Sequence, residues 1–135
     1  TYPTNDVLIE NFDKKFATIY DSIVRHILFP SLNKLYDCEI SNDFQHETFI
    51  VRYRPELQGH LDLHHDSSNF TFCVTFSAEA DYEGGGTWFP KHNTLLKAGQ
   101  GVVAMHPGLM THQHGVRPII SGQRYAMVSF CKLQL

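Results

Sequence analysis

The sequence predicts a mainly β domain, an antiparallel barrel or sandwich of the jelly-roll or cupin-like type with an N-terminal helix packed on its outside. Two observations support this fold class. The first third of the chain has a helical spacing of apolar residues, and the remainder divides into short β-branched and aromatic runs. A chain of 135 residues suffices for one hydrophobic core. We therefore expect a single domain over residues 1–135, helical at 5–36 and with a β-core at 47–133.

The predicted helix occupies the start of the chain. Apolar residues recur at intervals of three and four from Asp6 to Leu28, which indicates a helix with one buried face. Pro30 should end this helix, and a shorter helical piece should follow through Leu35. The residues expected on the buried face are Leu8, Phe12, Phe16, Ile19, Ile23 and Ile27.

The β-rich remainder contains about eight candidate strands, separated by glycine, proline, asparagine and serine turns. No internal repeat or low-complexity segment interrupts them, so a helix followed by strands favours an antiparallel architecture. The candidate strands are residues 47–53, 60–65, 70–77, 86–90, 94–98, 101–106, 112–116 and 123–133.

The composition argues against several classes of protein. The net charge is −3 and the eleven Lys and Arg residues are scattered, so nucleic acid is not expected as a partner. No apolar run reaches the length of a membrane span, and the N-terminus lacks the pattern of a signal peptide. The three cysteines lack CxxC spacing, which predicts neither a zinc knuckle nor a complete disulfide framework. Cys73 and Cys131 should be buried free thiols in strands.

The residues suited to chemistry centre on the stretch HLDLHHD. Seven of the nine histidines lie between His60 and His114. Because side chains alternate along a strand, His60, Asp62, His64 and Asp66 should share one face. An imidazole and a carboxylate two residues apart can both reach one metal ion. Alternation alone allows either His60 with Asp62 or His64 with Asp66 to be that pair.

A third metal ligand should come from another strand, and the stretch MHPGLMTHQHGVRP offers His106, His112 and His114. Two histidines and one carboxylate form the facial triad of non-haem Fe(II) oxygenases, which leaves three coordination positions open. A structural zinc ion would normally be closed by four ligands. Arg124, ten residues beyond His114, could bind a dicarboxylate through its planar guanidinium.

Three longer segments carry a resemblance to a known family: FIVRYRPELQGHLDLHHDSSNFTF, DYEGGGTWF and GQGVVAMHPGLMTHQHGVRPIISGQRYAMVSF. Over most of residues 48–130 they resemble, in order and spacing, the catalytic domain of procollagen lysyl hydroxylases, which are Fe(II)- and 2-oxoglutarate-dependent dioxygenases. The resemblance implies a double-stranded β-helix. It also implies a hydroxylase of peptidyl lysine, with a collagen-like peptide as substrate, that couples hydroxylation to the oxidative decarboxylation of 2-oxoglutarate and uses Fe(II), O₂ and ascorbate.

The resemblance also assigns roles to individual residues. His64, Asp66 and His114 match the family's iron ligands, and Arg124 matches the residue that pairs with the distal carboxylate of 2-oxoglutarate. Tyr53 matches a tyrosine whose hydroxyl helps to hold that co-substrate.

One co-substrate position departs from the family's pattern. Cys73 stands where lysyl hydroxylases usually have an asparagine that donates to 2-oxoglutarate, and a thiol is a weak donor. We therefore expect this contact to be missing or replaced. The resemblance places His60 and Asp62 at the cavity mouth, and gives His65 and His112 supporting or packing roles.

The resemblance leaves the substrate open. A hydroxylase of prolyl or other residues, or of a small molecule, would have the same chemistry, and a catalytically silent cupin-like binding module would have the same fold. For a lysyl substrate, Asp62, Asp81 and Glu83 are candidates to receive the ammonium group. The family resemblance further implies the endoplasmic reticulum lumen and a possible homodimer.

Overall fold

The computed structural model describes residues 5–41 and 43–134 as a helical layer packed on one face of a β-sandwich. The helices are α1 (Ile9–Phe12), α2 (Lys14–Ile23) and α3 (Phe29–Tyr36), with a π-helical turn (Val24–Leu28) between α2 and α3. In this part of the chain, none of the helices has the length and apolar character needed to cross a bilayer. The strands are β1 (Asp6–Leu8), β2 (Phe44–Tyr53), β3 (Leu61–His64), β4 (Phe70–Thr75), β5 (Tyr82–Gly84), β6 (Thr87–Phe89), β7 (Thr94–Leu96), β8 (Val103–Pro107), β9 (His114–Val116), β10 (Ile119–Gly122) and β11 (Arg124–Leu133).

The strands form two facing antiparallel sheets and one separate pair. The larger sheet has the order β1-β2-β11-β4-β8, and the smaller has the order β3-β9-β6-β7. Strands β5 and β10 pair with each other. The mainly β architecture with helices outside agrees with the prediction, and the space between the two sheets becomes the interior of the molecule.

Strand β11 lies at the centre of the larger sheet and gives it two different faces. It pairs with β2 along its whole length, from Arg124 opposite Tyr53 to Leu133 opposite Phe44, and with β4 on its other side. Because side chains alternate along a strand, one set packs under the helices and the other faces the interior. The first set is Met127, Ser129 and Cys131; the second is Arg124, Ala126, Val128 and Phe130.

The helical layer buries a different face from the one predicted. Tyr20, Val24, Leu28 and Leu32 are buried against the larger sheet. The segment carries two apolar stripes offset by about one residue, and periodicity alone cannot choose between them. Of the predicted face, Phe16 is half-buried, whereas Leu8, Phe12, Ile19, Ile23 and Ile27 are exposed.

A chain of buried hydroxyls joins the helical layer to the sheet. The Tyr20 and Ser129 hydroxyl oxygens lie 2.8 Å apart, and Thr48 donates to the same Ser129 oxygen at 2.8 Å. Buried polar groups need such partners. Tyr20 lies on the buried stripe and gives the Ser129 hydroxyl a partner besides Thr48, which is a physical reason for the face that packs on the sheet.

The helix does not end at Pro30, contrary to the prediction. The Phe29 N–H donates to the Val24 carbonyl, five residues back, so the helix widens by one residue before the proline. Pro30 then stands in the first turn of α3, where its missing N–H costs no helical hydrogen bond. The helix ends after Tyr36, with Asp37 in the left-handed region at φ 48°.

Three strand assignments also differ from the sequence prediction. Asp6–Leu8, predicted as helix, pairs with β2 as strand β1, and β2 begins at Phe44 rather than at residue 47. The β5–β10 pair was missed because its strands are short and contain glycine. Gly84 adopts φ +83°, and a Cβ there would lie 2.5 Å from the Pro118 carbonyl oxygen, so only glycine fits this crossing.

Candidate metal and co-substrate site

A cavity of about 300 Å³ lies between the two sheets and is largely apolar. Its walls come from β2, β3, β4, β6, β7, β8, β9 and β11, and aliphatic residues such as Val51, Val116 and Val128 form much of its surface. The structure brings together in this cavity all six residues selected from the sequence. They are Tyr53, His64, Asp66, Cys73, His114 and Arg124.

His64, Asp66 and His114 form a compact group at one end of the cavity. The Nε2 atoms of His64 and His114 lie 3.2 and 3.5 Å from Asp66 Oδ1. One ligand atom from each residue lies within 4.8 Å of the others, a spacing that one metal ion can span. The residues described by the structure contain no other such group of three.

Backbone carbonyls orient both imidazoles. His64 Nδ1 lies 2.7 Å from the Asp62 carbonyl oxygen, and His114 Nδ1 lies 2.8 Å from that of His112. A carbonyl can only accept, so each Nδ1 carries a proton. In the neutral form of each ring the lone pair is on Nε2, which faces Asp66, and when His64 is protonated its Nε2–H donates to that carboxylate. This tautomer is the one that metal-binding histidines with a supporting carbonyl adopt.

Direct pairing of β3 with β9 sets His64 opposite His114, with ring centroids 4.5 Å apart. The register shifts between Leu61 and His64, so the predicted strict alternation is wrong there. Leu61 lines the cavity, whereas His60 and Asp62 have exposed side chains and pair with each other at 3.4 Å. The shift thus selects the second of the two pairs that alternation had left open.

Asp66 is held by residues that the sequence prediction missed. Its side chain is 2% exposed, and its Oδ2 accepts a hydrogen bond of 2.7 Å from Thr71. The Ser68 hydroxyl lies 2.9 Å from that of Thr71. A signal existed, because Thr71 and Cys73 are two residues apart on β4 and must share a face.

The protonation states of the group suit metal binding. Burial raises the pKa of Asp66, but the hydrogen bonds from His64 and Thr71 and the proximity of His114 outweigh it, so the pKa is lowered overall. Burial lowers the pKa of His114. For His64, burial also lowers the pKa, but the contact with Asp66 prevails and raises it. At neutral pH, Asp66 is a carboxylate and His114 a neutral imidazole.

Arg124, Tyr53 and Cys73 form a second polar group in the same cavity. Arg124 is 5% exposed, its guanidinium carbon lies 5.7 Å from the centroid of the Tyr53 ring, and the Cys73 side chain lines the same cavity. No carboxylate in residues 5–41 and 43–134 forms an ion pair with it. Burial raises the pKa of Tyr53 and of Cys73, so both keep their protons. A buried guanidinium beside two neutral donors is suited to an anionic ligand.

The other histidines of the predicted region lie outside the compact group. His106 is buried in β8 with Nε2 3.9 Å from Asp66 Oδ2, farther than the other two imidazoles. His112 is half-buried and supports His114 through its carbonyl, while its ring packs on His92 with centroids 4.7 Å apart. His65 is exposed.

The similar sequences are collagen-modifying enzymes. The chain is 36% identical over 132 residues to procollagen-lysine,2-oxoglutarate 5-dioxygenase 1 of Bos taurus, a match that covers 95% of this chain. It is 40% identical over 128 residues to the protein of the same name from Gallus gallus, covering 93% of this chain. The chain spans only 18% and 17% of the length of these two relatives. No protein-family model matches the chain.

Two solved oxygenase structures have a similar fold. A 2-oxoglutarate/Fe(II) oxygenase family oxidoreductase from Burkholderia pseudomallei has a TM-score of 0.71 and 14% identity, covering 87% of this chain and 58% of that one. A viral collagen prolyl hydroxylase from Paramecium Bursaria Chlorella virus-1 has a TM-score of 0.66 and 16% identity, covering 98% of this chain and 80% of that one. At these identities the likeness establishes the fold, which confirms the predicted double-stranded β-helix.

The related sequences define the class: over 95% of its length the chain is homologous to 2-oxoglutarate dioxygenases, and the solved structures share its fold. Within that class it is a homologue of the procollagen-lysine 2-oxoglutarate 5-dioxygenases, which confirms the resemblance found in the sequence.

Proposed function

We propose that this chain hydroxylates peptidyl lysine in collagen-like sequences, with Fe(II) and 2-oxoglutarate. The observation that carries the proposal is one cavity that contains both the His64–Asp66–His114 group and the buried Arg124. The relatives' names support lysine in procollagen as the substrate. The complete group of ligand residues argues against a catalytically silent binding module.

The ligand residues fit Fe(II). Two imidazole nitrogens and one carboxylate oxygen are the set that non-haem Fe(II) oxygenases use, and three ligands leave positions open. His64 and His114 would bind through Nε2 and Asp66 through Oδ1, the atoms that converge in the structure. When bound with 2-oxoglutarate and O₂, the iron supplies the oxidising chemistry that inserts oxygen into an unactivated C–H bond.

The chain's own residues hold the co-substrate and exclude water. Arg124 would donate two parallel hydrogen bonds to the distal carboxylate of 2-oxoglutarate. Tyr53 would donate a further one, since its hydroxyl stays protonated. Cys73 is a weaker donor than an asparagine amide, so the carboxylate would depend more on Arg124. The aliphatic walls keep water from the reacting centre.

Recognition of a lysyl ammonium group would fall to Asp62. Asp81 already accepts from the Ala78 N–H, and Glu83 accepts from Ser121. Asp62 faces solvent and pairs with His60. Among the described residues that line the cavity, the carboxylate is Asp66, a proposed iron ligand.

The apolar cavity also favours a second candidate substrate. A neutral prolyl ring would need no counter-ion inside, and the described lining offers none beyond Asp66. We keep hydroxylation of prolyl or other residues, or of a small molecule, as the alternative. By family resemblance we further propose ascorbate as a reductant, the endoplasmic reticulum lumen as the compartment and a possible homodimer.

A peptide panel tests the proposal. Gly-X-Lys and Gly-X-Pro peptides would be incubated with the protein, Fe(II), 2-oxoglutarate and O₂, and the hydroxylated residue mapped by mass spectrometry. We expect hydroxylysine, and succinate formation that disappears in His64→Ala and Asp66→Ala. His65→Ala is the matched control, because it removes a neighbouring exposed histidine. Hydroxyproline would favour the alternative, and no succinate with any substrate would overturn both.

A further inference from the structure

The two oxygens of Asp66 have different environments. Oδ1 faces both His64 Nε2 and His114 Nε2, at 3.2 and 3.5 Å. Oδ2 accepts from the Thr71 hydroxyl at 2.7 Å and lies 3.9 Å from His106 Nε2. The hydrogen bond from Thr71 therefore orients the carboxylate with Oδ1 towards the two histidines.

The hydrogen bonds at Thr71 have a defined direction. A threonine hydroxyl has one proton, and Thr71 gives it to the Asp66 carboxylate, which can only accept. The Ser68 hydroxyl, 2.9 Å away, must therefore donate to Thr71. Ser68 and Thr71 are 3% and 2% exposed, so water does not compete with these bonds. The order of donation is Ser68 to Thr71 to Asp66.

The loop that carries Asp66 is fixed from outside as well. The Ser67 N–H donates to the Gly108 carbonyl at 2.9 Å, and the Asn69 N–H donates to the Cys131 carbonyl at 2.9 Å. A Cβ at Gly108 would lie 2.8 Å from the Ser68 nitrogen, so only glycine allows this approach. The backbone therefore holds Ser68 where its hydroxyl meets that of Thr71.

We propose that Thr71, supported by Ser68, is a positioning residue that restricts Asp66 to binding the metal through one oxygen. This inference rests on the proposed function. It has a chemical purpose, because three protein atoms leave three coordination positions for co-substrate and O₂. If Asp66 turned to bind through both oxygens, one of those three positions would be lost. Thr71 is not itself a ligand and acts through Asp66.

The test uses Mn(II) as a redox-stable probe with the whole chain. Thr71→Val removes the hydroxyl and keeps the shape, so we expect Mn(II) affinity to fall about 10- to 100-fold, as for other supporting partners of metal ligands. The water-proton relaxation caused by each bound Mn(II) should fall by about a third, because one of three open positions closes. Thr71→Ser should restore both quantities to nearly wild-type values.

Two further variants serve as controls. Thr75→Val makes the same change on the same strand and the same face, but the change is away from Asp66, so Mn(II) affinity and relaxation should stay at wild-type values. Ser68→Ala should shift both quantities in the direction of Thr71→Val by a smaller factor. If circular dichroism shows that Thr71→Val does not fold, Ser68→Ala provides the test instead.

The outcomes separate the inference from the proposed function. Wild-type protein that binds no Mn(II) would overturn both. Wild-type binding that is lost in His64→Ala, with Thr71→Val at wild-type affinity and relaxation, would overturn the inference alone. Loss of affinity without a change in relaxation would contradict single-oxygen binding, and a Thr71→Ser defect as large as that of Thr71→Val would contradict the role of the hydroxyl.

Discussion

At the scale of single residues, the site combines two chemically distinct ends. His64, Asp66 and His114 present metal-binding atoms, and Arg124 with Tyr53 presents donors for an anion. Both ends lie in one apolar cavity, where charge–charge contacts are stronger than in water. Changes at the two ends should therefore have separable effects.

Arg124→Ala should raise the 2-oxoglutarate concentration needed for half-maximal rate by at least about thirtyfold, because truncating one partner of a buried charge pair costs 2 to 5 kcal/mol. Mn(II) affinity should change less than about threefold, since Arg124 does not contact the ligand group. Steady-state kinetics and Mn(II) titration measure the two quantities. Equal loss of both would contradict the separate roles.

Metal binding should release a proton near neutral pH. Asp66 raises the pKa of His64, so part of the protein carries a proton that metal must displace. Because the proton on His64 competes with the metal ion, the apparent Mn(II) affinity should fall as the pH is lowered through the His64 pKa and should level off above that pKa. Calorimetric titrations in buffers of different ionisation enthalpy measure the protons released. A pH-independent affinity between about pH 6 and 8, where a histidine whose pKa is raised above its usual value of about 6.5 titrates, would contradict this prediction.

Most residues of the candidate site were predictable from the sequence, but the residues that hold Asp66 in place were not. The residue types suggested a metal, and the family resemblance selected His64, Asp66 and His114 from pairs that alternation left open. The register shift in β3 that sets His60 and Asp62 aside depends on the pairing of β3 with β9, which the sequence does not reveal. Thr71 was missed because a threonine in a strand is unremarkable until its partner is known.

At the scale of elements, the helical layer shows what the spacing of apolar residues can and cannot predict. The sequence predicted the helix and most strands, since these depend on local spacing. The apolar spacing predicted the wrong buried face, because the helical segment has two apolar stripes. The stripe that packs on the sheet is the one with Tyr20, whose hydroxyl contacts that of Ser129. The helical layer continues past Pro30 because a π-helical turn precedes the proline, and the spacing of apolar residues does not predict such a turn.

Adjacent residues test which helix face is buried. Leu28→Ala should lower the free energy of unfolding by about 2 to 5 kcal/mol, because it leaves a cavity under the helix. Ile27→Ala, at a position 56% exposed, should change it by less than about 1 kcal/mol. Urea denaturation followed by circular dichroism measures both. The reverse order would support the face that the sequence predicted.

At the scale of the whole molecule, the site joins both sheets. His64 and His114 belong to the smaller sheet, Arg124 to the larger, and Asp66 to the loop that leads from β3 to β4. A metal ion bound to this group links the smaller sheet to the loop. Binding should therefore stabilise the entire fold and not only the cavity.

Mn(II) at about one hundred times its dissociation constant should raise the free energy of unfolding by about 2.7 kcal/mol. The melting temperature should rise by several degrees, and a chelator should reverse the rise. Differential scanning calorimetry measures this shift. In His64→Ala, the same Mn(II) concentration should give no shift, and a shift of wild-type size there would place the stabilising ion elsewhere.

The division of the site between two sheets has a consequence for which keto acids it accepts. Packed sheets lie about 10 Å apart, a separation fixed by the side chains that fill the sandwich. Under the proposed function, a diacid would bridge from the histidine end to the guanidinium, so the separation of the two sheets would select the length of its carbon chain. We therefore expect keto diacids one methylene shorter or longer than 2-oxoglutarate to bind more weakly, because neither would meet both ends without strain.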